Sequence, residues 1–230
     1  MKSPKILPKI LVGCPTSDYH EYALQEYSEA VKNLAYENYD ILLVDNSKDN
    51  SYLTKLKRFN LPAVKGSWNE GAKKRIINSR NILRQKVIEG DYDFFLSLEQ
   101  DVIPPKNIIE SLFNSKKEIV SAVYFMPQGN NLIPMLAINE GKEKYGYIPF
   151  EYVNKNSHLI NVNYAGLGAI LISKKVLEKI KFRVDEKPGF DDWFFCKDAE
   201  KEGFKIFADL SVKCKHLLNK RPWSWKDIKL

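Results

Sequence analysis

Three short apolar runs punctuate the first hundred residues: Ile10-Leu11-Val12-Gly13-Cys14, Ile41-Leu42-Leu43-Val44 and Phe94-Phe95-Leu96-Ser97-Leu98. Each is continuously apolar and bounded by turn residues, which is how strands buried on both faces of a parallel sheet read. The stretches between and before them, Tyr19 to Ala35, about Asn50 to Arg58 and Asn69 to Glu89, read as helices. This alternation predicts an α/β fold, with a mixed, mostly parallel sheet flanked by helices. Ligands of such sheets bind beyond the carboxyl ends of the strands. The loops at those ends are polar and carry acids: Pro15-Thr16-Ser17-Asp18, Asp45-Asn46-Ser47 and Glu99-Gln100-Asp101.

In the second half, Glu118 to Met126, Tyr145 to Val153 and Ile160 to Ala165 read as strands, and Ser173 to Ile180 and Asp191 to Glu202 as helices. No internal repeat, low-complexity tract or linker divides the chain, so a single domain is expected. The net charge is +7, but residues 213 to 230 hold six basic side chains against Asp227 alone, which leaves five of the seven charges there. Duplex nucleic acid needs basic charge spread over a face or a helix, so it is not an expected partner. Cys14, Cys196 and Cys214 show no CxxC spacing, which argues against a disulfide framework or a cysteine zinc site. No apolar run approaches the ~20 residues of a membrane span. A cytoplasmic chain, or one peripheral at a membrane, is the expectation.

Four groups of residues could carry chemistry. In an extended chain Glu99 and Asp101 would point to one side, where two carboxylates can hold a hard divalent cation and leave positions for water and phosphate. Arg80 falls within the apolar stripe Ala72, Ile76, Leu83 and Val87 of its helix, so it must find an anion there, either a structural carboxylate or a diphosphate. Asp191 and Asp192 open an apolar helix. One can serve its N-terminus, and the other, beside Trp193 and Phe194, can have its pKa raised toward that of a general base. His216, between lysines, reads as a surface histidine or as a metal or phosphate ligand. His20 and His158 receive no assignment.

In order, Val44-Asp45-Asn46-Ser47, Ser79-Arg80-Asn81, Leu98-Glu99-Gln100-Asp101-Val102, Ala165-Gly166-Leu167-Gly168-Ala169, Asp191-Asp192 and His216 resemble the motifs of nucleotide-sugar glycosyltransferases of the GT-A fold, particularly the family 2 group. The likeness runs from about residue 10 to residue 216. It implies a domain over 1–216, with a nucleotide-binding half at about 9–115 and an acceptor-side half at 116–216, followed by a basic, tryptophan-containing tail at 217–230. It implies that Pro15 and Asp45 hold the nucleoside of a UDP- or GDP-linked sugar, with Thr16, Asn46 and Gln100 on the same side, and that Arg80 lies near the diphosphate. Asp101 would be the main ligand of Mn²⁺ or Mg²⁺, with His216 completing the site and Glu99 beside it. Asp192, with Asp191 next to it, would be the base of an inverting transfer. The acceptor would be a glycan, a lipid-linked molecule or a protein. Here the usual Asp-x-Asp is Glu-Gln-Asp and the usual Glu-Asp is Asp-Asp.

The tail joins Lys220 and Arg221 to Trp223 and Trp225, and reads either as a strap over a bound diphosphate or as a contact with an anionic membrane. Two other readings stay open: a sugar-phosphate nucleotidyltransferase, whose glycine-rich loop after the first strand is missing from Cys14-Pro15-Thr16-Ser17-Asp18, and a non-catalytic nucleotide-sugar-binding module.

Overall fold

The computed structural model describes residues 7–129, 131–142, 144–185 and 189–222, apart from the side chain of Asn219. Its centre is a sheet of eight strands, in the order Leu159–Val162, Ile206–Lys213, Ile119–Val123, Ala169–Ser173, Phe94–Leu98, Ile10–Thr16, Tyr39–Asp45 and Ala63–Lys65. The three apolar runs lie side by side: Ile10–Thr16 pairs in parallel with both Tyr39–Asp45 and Phe94–Leu98. All seven residues of Ile10–Thr16 are buried, as a strand covered on both faces requires. Helices complete the layers, the longest being Ala72–Glu89.

Two departures from parallel pairing shape the carboxyl rim. Ala169–Ser173 runs antiparallel to Phe94–Leu98, with Ala169 opposite Leu98. The segment entering that strand, Tyr164 to Gly168, is thereby delivered to the edge where Phe94–Leu98 ends, and Glu99 N donates to Gly168 O at 2.9 Å. Lys215–His216 pairs antiparallel with Val102–Ile103, placing His216 opposite Val102 and so beside Asp101. A small antiparallel sheet of Tyr145–Tyr147, Leu136–Asn139 and Tyr164–Ala165 stands near the same rim.

The predicted strand from Tyr145 to Val153 is corrected: only Tyr145–Tyr147 is extended, and Phe150–Lys155 is a helix. Pro149 supplies the reason, since it has no N–H for a sheet ladder and its φ of −58° suits a helix entry. The run Glu118 to Met126 splits at Tyr124 into Ile119–Val123 and Phe125–Gln128, the second forming a hairpin with Asn131–Pro134. The first predicted helix is divided into a 3-10 turn, Asp18–Ala23, and an α-helix, Leu24–Lys32. Among the described residues no helix is long and apolar enough to cross a membrane.

Gly13 lets the first strand sit where it does. A Cβ there would lie 2.0 Å from the Leu42 carbonyl oxygen and 3.2 Å from Leu83 Cδ2. The backbone atom cannot yield, so Gly13→Ala should lower the unfolding free energy by about 1–3 kcal/mol. Urea denaturation of the variant reads this directly, and an unchanged midpoint would contradict it.

Candidate active site

Among the described residues Arg80 is the largest fully buried side chain, 2% exposed on the inner face of Ala72–Glu89. Every arm of its guanidinium is engaged: Nε donates to Asp191 Oδ2 at 2.6 Å, Nη1 to Ser97 Oγ at 2.7 Å and Nη2 to Glu99 Oε1 at 2.5 Å. Burial opposes its charge, but the carboxylates of Asp191 and Glu99 outweigh that and raise its pKa above the ordinary arginine value. Of the two anions left open for Arg80, the structure supplies carboxylates, and Arg80 itself also lines the cavity that holds Asp101 and Asp192. Asp191 and Glu99 are thereby its counter-ions. Glu99 faces Arg80 while Asp101 faces His216, so the two acids of Glu99-Gln100-Asp101 share a cavity but not partners.

Asp101 is 1% exposed at the turn after Phe94–Leu98. Its Oδ2 accepts from Tyr22 Oη at 2.7 Å and from Arg221 Nη2 at 2.8 Å, and lies 3.5 Å from His216 Nε2. Burial pushes its pKa up, yet His216, His20 and Arg221 together hold it far below the usual carboxylate range. His216 Nδ1 lies 2.9 Å from the Phe125 carbonyl oxygen. A carbonyl only accepts, so Nδ1 carries a proton. Nε2 makes no hydrogen bond although the side chain is 8% exposed. This is the arrangement a metal-ligating histidine needs, with the far nitrogen fixed by a backbone acceptor.

A cavity of about 550 Å³ has Pro15, His20, Asp101, His216 and Arg221 in its lining together with Asp192. Tyr124, Tyr145, Tyr147, Tyr164, Trp193 and Met135 give it an aromatic and apolar wall. Asp192 is half-buried against that wall: Oδ2 accepts from Tyr164 Oη at 2.7 Å and Oδ1 from the Trp193 N–H at 2.7 Å. Burial and, after it, the charge of Asp191 raise its pKa to about 6, while the bonds from Tyr164 and Trp193 temper the rise. A carboxylate with such a pKa takes a proton near neutrality far better than an ordinary aspartate.

Pro15 faces the cavity, but Thr16, Asp45, Asn46 and Gln100 are buried outside its lining. Gln100 Oε1 accepts a short bond from Thr16 Oγ1, and its Nε2 donates to Tyr52 Oη at 2.6 Å and His20 O at 2.9 Å. Asn46 Nδ2 donates to Ser79 Oγ at 3.2 Å. Asp45 accepts from the Ser47 N–H at 2.9 Å and from Lys65 Nζ at 2.9 Å. In this conformation these four brace the loops that support the rim. The residues that sequence reasoning missed are Tyr22, Tyr124 and Tyr164 as cavity or carboxylate partners. Trp193, next to the acidic pair, was the aromatic neighbour that the sequence did announce.

No known family and no curated protein matches the sequence. Solved structures do match its shape. The crystal structure of A197 from STIV covers 92% of this chain and 87% of its own at a TM-score of 0.53 and 18% identity. The structure of GalNAc-T7 with UDP, GalNAc and Mn²⁺ covers 92% of this chain at a TM-score of 0.70 and 13% identity, and this chain spans 44% of that one. The fold is the glycosyltransferase GT-A fold.

Removing Arg80 would leave the buried carboxylate of Asp191 and the half-buried one of Glu99 without their cation. Arg80→Met should therefore destabilise the chain by about 3–5 kcal/mol, measured by urea unfolding. A loss below about 1 kcal/mol would show that the triad contributes no more than an exposed ion pair does.

Proposed function

We propose that this chain is a glycosyltransferase that moves a sugar from a nucleoside diphosphate to an acceptor hydroxyl with inversion. One observation carries the reading: a single cavity holds a carboxylate poised as a base, Asp192, and a second constellation, Asp101 with His216, suited to a cation and a diphosphate.

Asp192 takes the proton of the acceptor hydroxyl as that oxygen bonds to C1 of the sugar, and the bond from C1 to the diphosphate oxygen breaks on the opposite face. The electron pair leaves with the nucleoside diphosphate. Tyr164 and the Trp193 N–H hold the two carboxylate oxygens of Asp192, fixing the direction from which the proton is taken. The aromatic wall excludes water that would otherwise compete as acceptor. Asp101 and a deprotonated His216 Nε2 would fit Mn²⁺ or Mg²⁺, which needs few protein ligands when phosphate oxygens complete its shell, and which would neutralise the charge gathering on the leaving diphosphate. Among the described residues no group of three acid, histidine or cysteine side chains could hold a metal, so these two would be its protein donors. Pro15, at the cavity edge, would meet the nucleoside.

Screening UDP-, GDP- and dTDP-sugars for Mn²⁺-dependent thermal stabilisation should identify a donor. With it, Asp192→Ala should abolish transfer while donor affinity persists, and Asp101→Ala should weaken metal-dependent donor binding. Loss of donor binding in Asp192→Ala, or full transfer by it, would overturn the assignment. The wild-type rate should rise about tenfold per pH unit below about 6 and level above it, because only ionised Asp192 accepts the proton.

A second prediction needs no substrate. The folded-state pKa of Asp192 is raised from 3.8 to about 6, so the native state binds its proton more tightly and loses stability as pH rises between those values. Asp192→Asn removes the buried charge. It should raise stability by about 2–3 kcal/mol at pH 7.5 relative to its effect at pH 4. Thermal melts at the two pH values check this, and an equal shift at both would contradict the raised pKa.

A further inference from the structure

The C-terminal segment brings a cation of its own to the acidic loop. Arg221 Nη2 donates to Asp101 Oδ2 at 2.8 Å, its Nε lies 3.4 Å from Tyr22 Oη, and it lines the cavity with Asp101 and His216. The chain leading to it is tied down separately. Leu217 N donates to Asp101 O at 2.8 Å, Lys215 reaches Glu26 at 3.0 Å, and Lys220 makes a short ion pair with the same Glu26. The side chain of Arg221 can therefore change partners while its anchor stays.

Asp101 Oδ2 serves Tyr22 and Arg221 and lies 3.5 Å from His216 Nε2. A divalent cation between Asp101 and His216 would claim that same carboxylate, and like charge would repel the guanidinium from it. A displaced arginine fork in a cavity that admits a diphosphate has an equally good partner there, because it grips carboxylate and phosphate in the same two-pronged way.

We propose that Arg221 and a divalent cation compete for Asp101, and that the displaced guanidinium becomes a ligand of the donor diphosphate. This rests on the donor reading given above. Arg221 then opposes the cation alone and favours nucleotide once the cation is in place. The two binding events are coupled through one side chain. An arginine that merely held the segment in place would move both affinities in the same direction.

The test is isothermal titration of the full chain with Mn²⁺ alone, then with UDP or GDP in saturating Mn²⁺. Arg221→Gln should bind Mn²⁺ about tenfold more tightly and the nucleoside diphosphate about tenfold more weakly, as expected for charge-assisted hydrogen bonds lost on each side. Arg221→Lys should fall between, and Lys220→Gln should change Mn²⁺ affinity by less than about twofold. Should wild type bind no measurable Mn²⁺ and Arg221→Gln bind it, competition is supported. Affinities that move together, or Mn²⁺ binding indifferent to Arg221 but dependent on Asp101, overturn the competition alone. Mn²⁺ binding absent from both proteins, or unaffected by Asp101→Asn in both, overturns the metal reading and the competition together.

Discussion

The buried guanidinium of Arg80, held by Glu99 and Asp191, ties the two ends of the cavity together. Arg80 stands on the helix Ala72–Glu89, Glu99 follows the strand Phe94–Leu98, and Asp191 begins the helix Asp191–Lys201. A guanidinium at 2% exposure keeps its charge only because two carboxylates and a serine hydroxyl meet its fork. Those contacts fix where Asp101 and Asp192 stand, each being a close neighbour of a triad carboxylate. They also leave one net negative charge on the triad, and the charges of Asp191 and Glu99 help to raise the pKa of Asp192. Scaffold and base strength thus have a common origin.

Antiparallel pairing does the remaining assembly. Ala169–Ser173 enters the sheet against the direction of its neighbour and brings Tyr164 to the rim, where its hydroxyl meets Asp192. Lys215–His216 returns to pair with Val102–Ile103 and delivers both His216 and, a few residues on, Arg221 to Asp101. Close backbone approach makes this possible: a Cβ on Gly166 would fall 2.1 Å from Tyr124 Oη, and the Gly168 N–H donates to that hydroxyl at 3.0 Å. Tyr124 in turn packs edge-on against His216 at 5.3 Å.

The layered core was legible because continuous apolar runs and polar loop ends are local properties. Arg80 stood out for the same reason, as a charge within an apolar stripe, although periodicity could not say which anion awaited it. Thr16, Asn46 and Gln100 show the limit of such reasoning. Their place after strands predicts exposure to a ligand, but Gln100 can satisfy Thr16, Tyr52 and the His20 carbonyl at once while Asn46 turns to Ser79, and in this conformation all three are buried. The aromatic wall was illegible for a different reason. Tyr124, Tyr145 and Tyr164 read as ordinary strand residues, and only long-range pairing such as Tyr164 with Ala137 reveals that they face the base. Trp223 and Trp225 of the tail lie outside the described residues.

A crystal structure of the chain with Mn²⁺ and UDP or GDP would test most directly whether one cavity serves both ends of a glycosyl transfer. The expected result is a cation about 2.0–2.3 Å from an Asp101 oxygen and His216 Nε2, its phosphates inside the cavity and their far end open toward Asp192. Nucleotide bound away from Asp101, or a cation held by other residues, would contradict it.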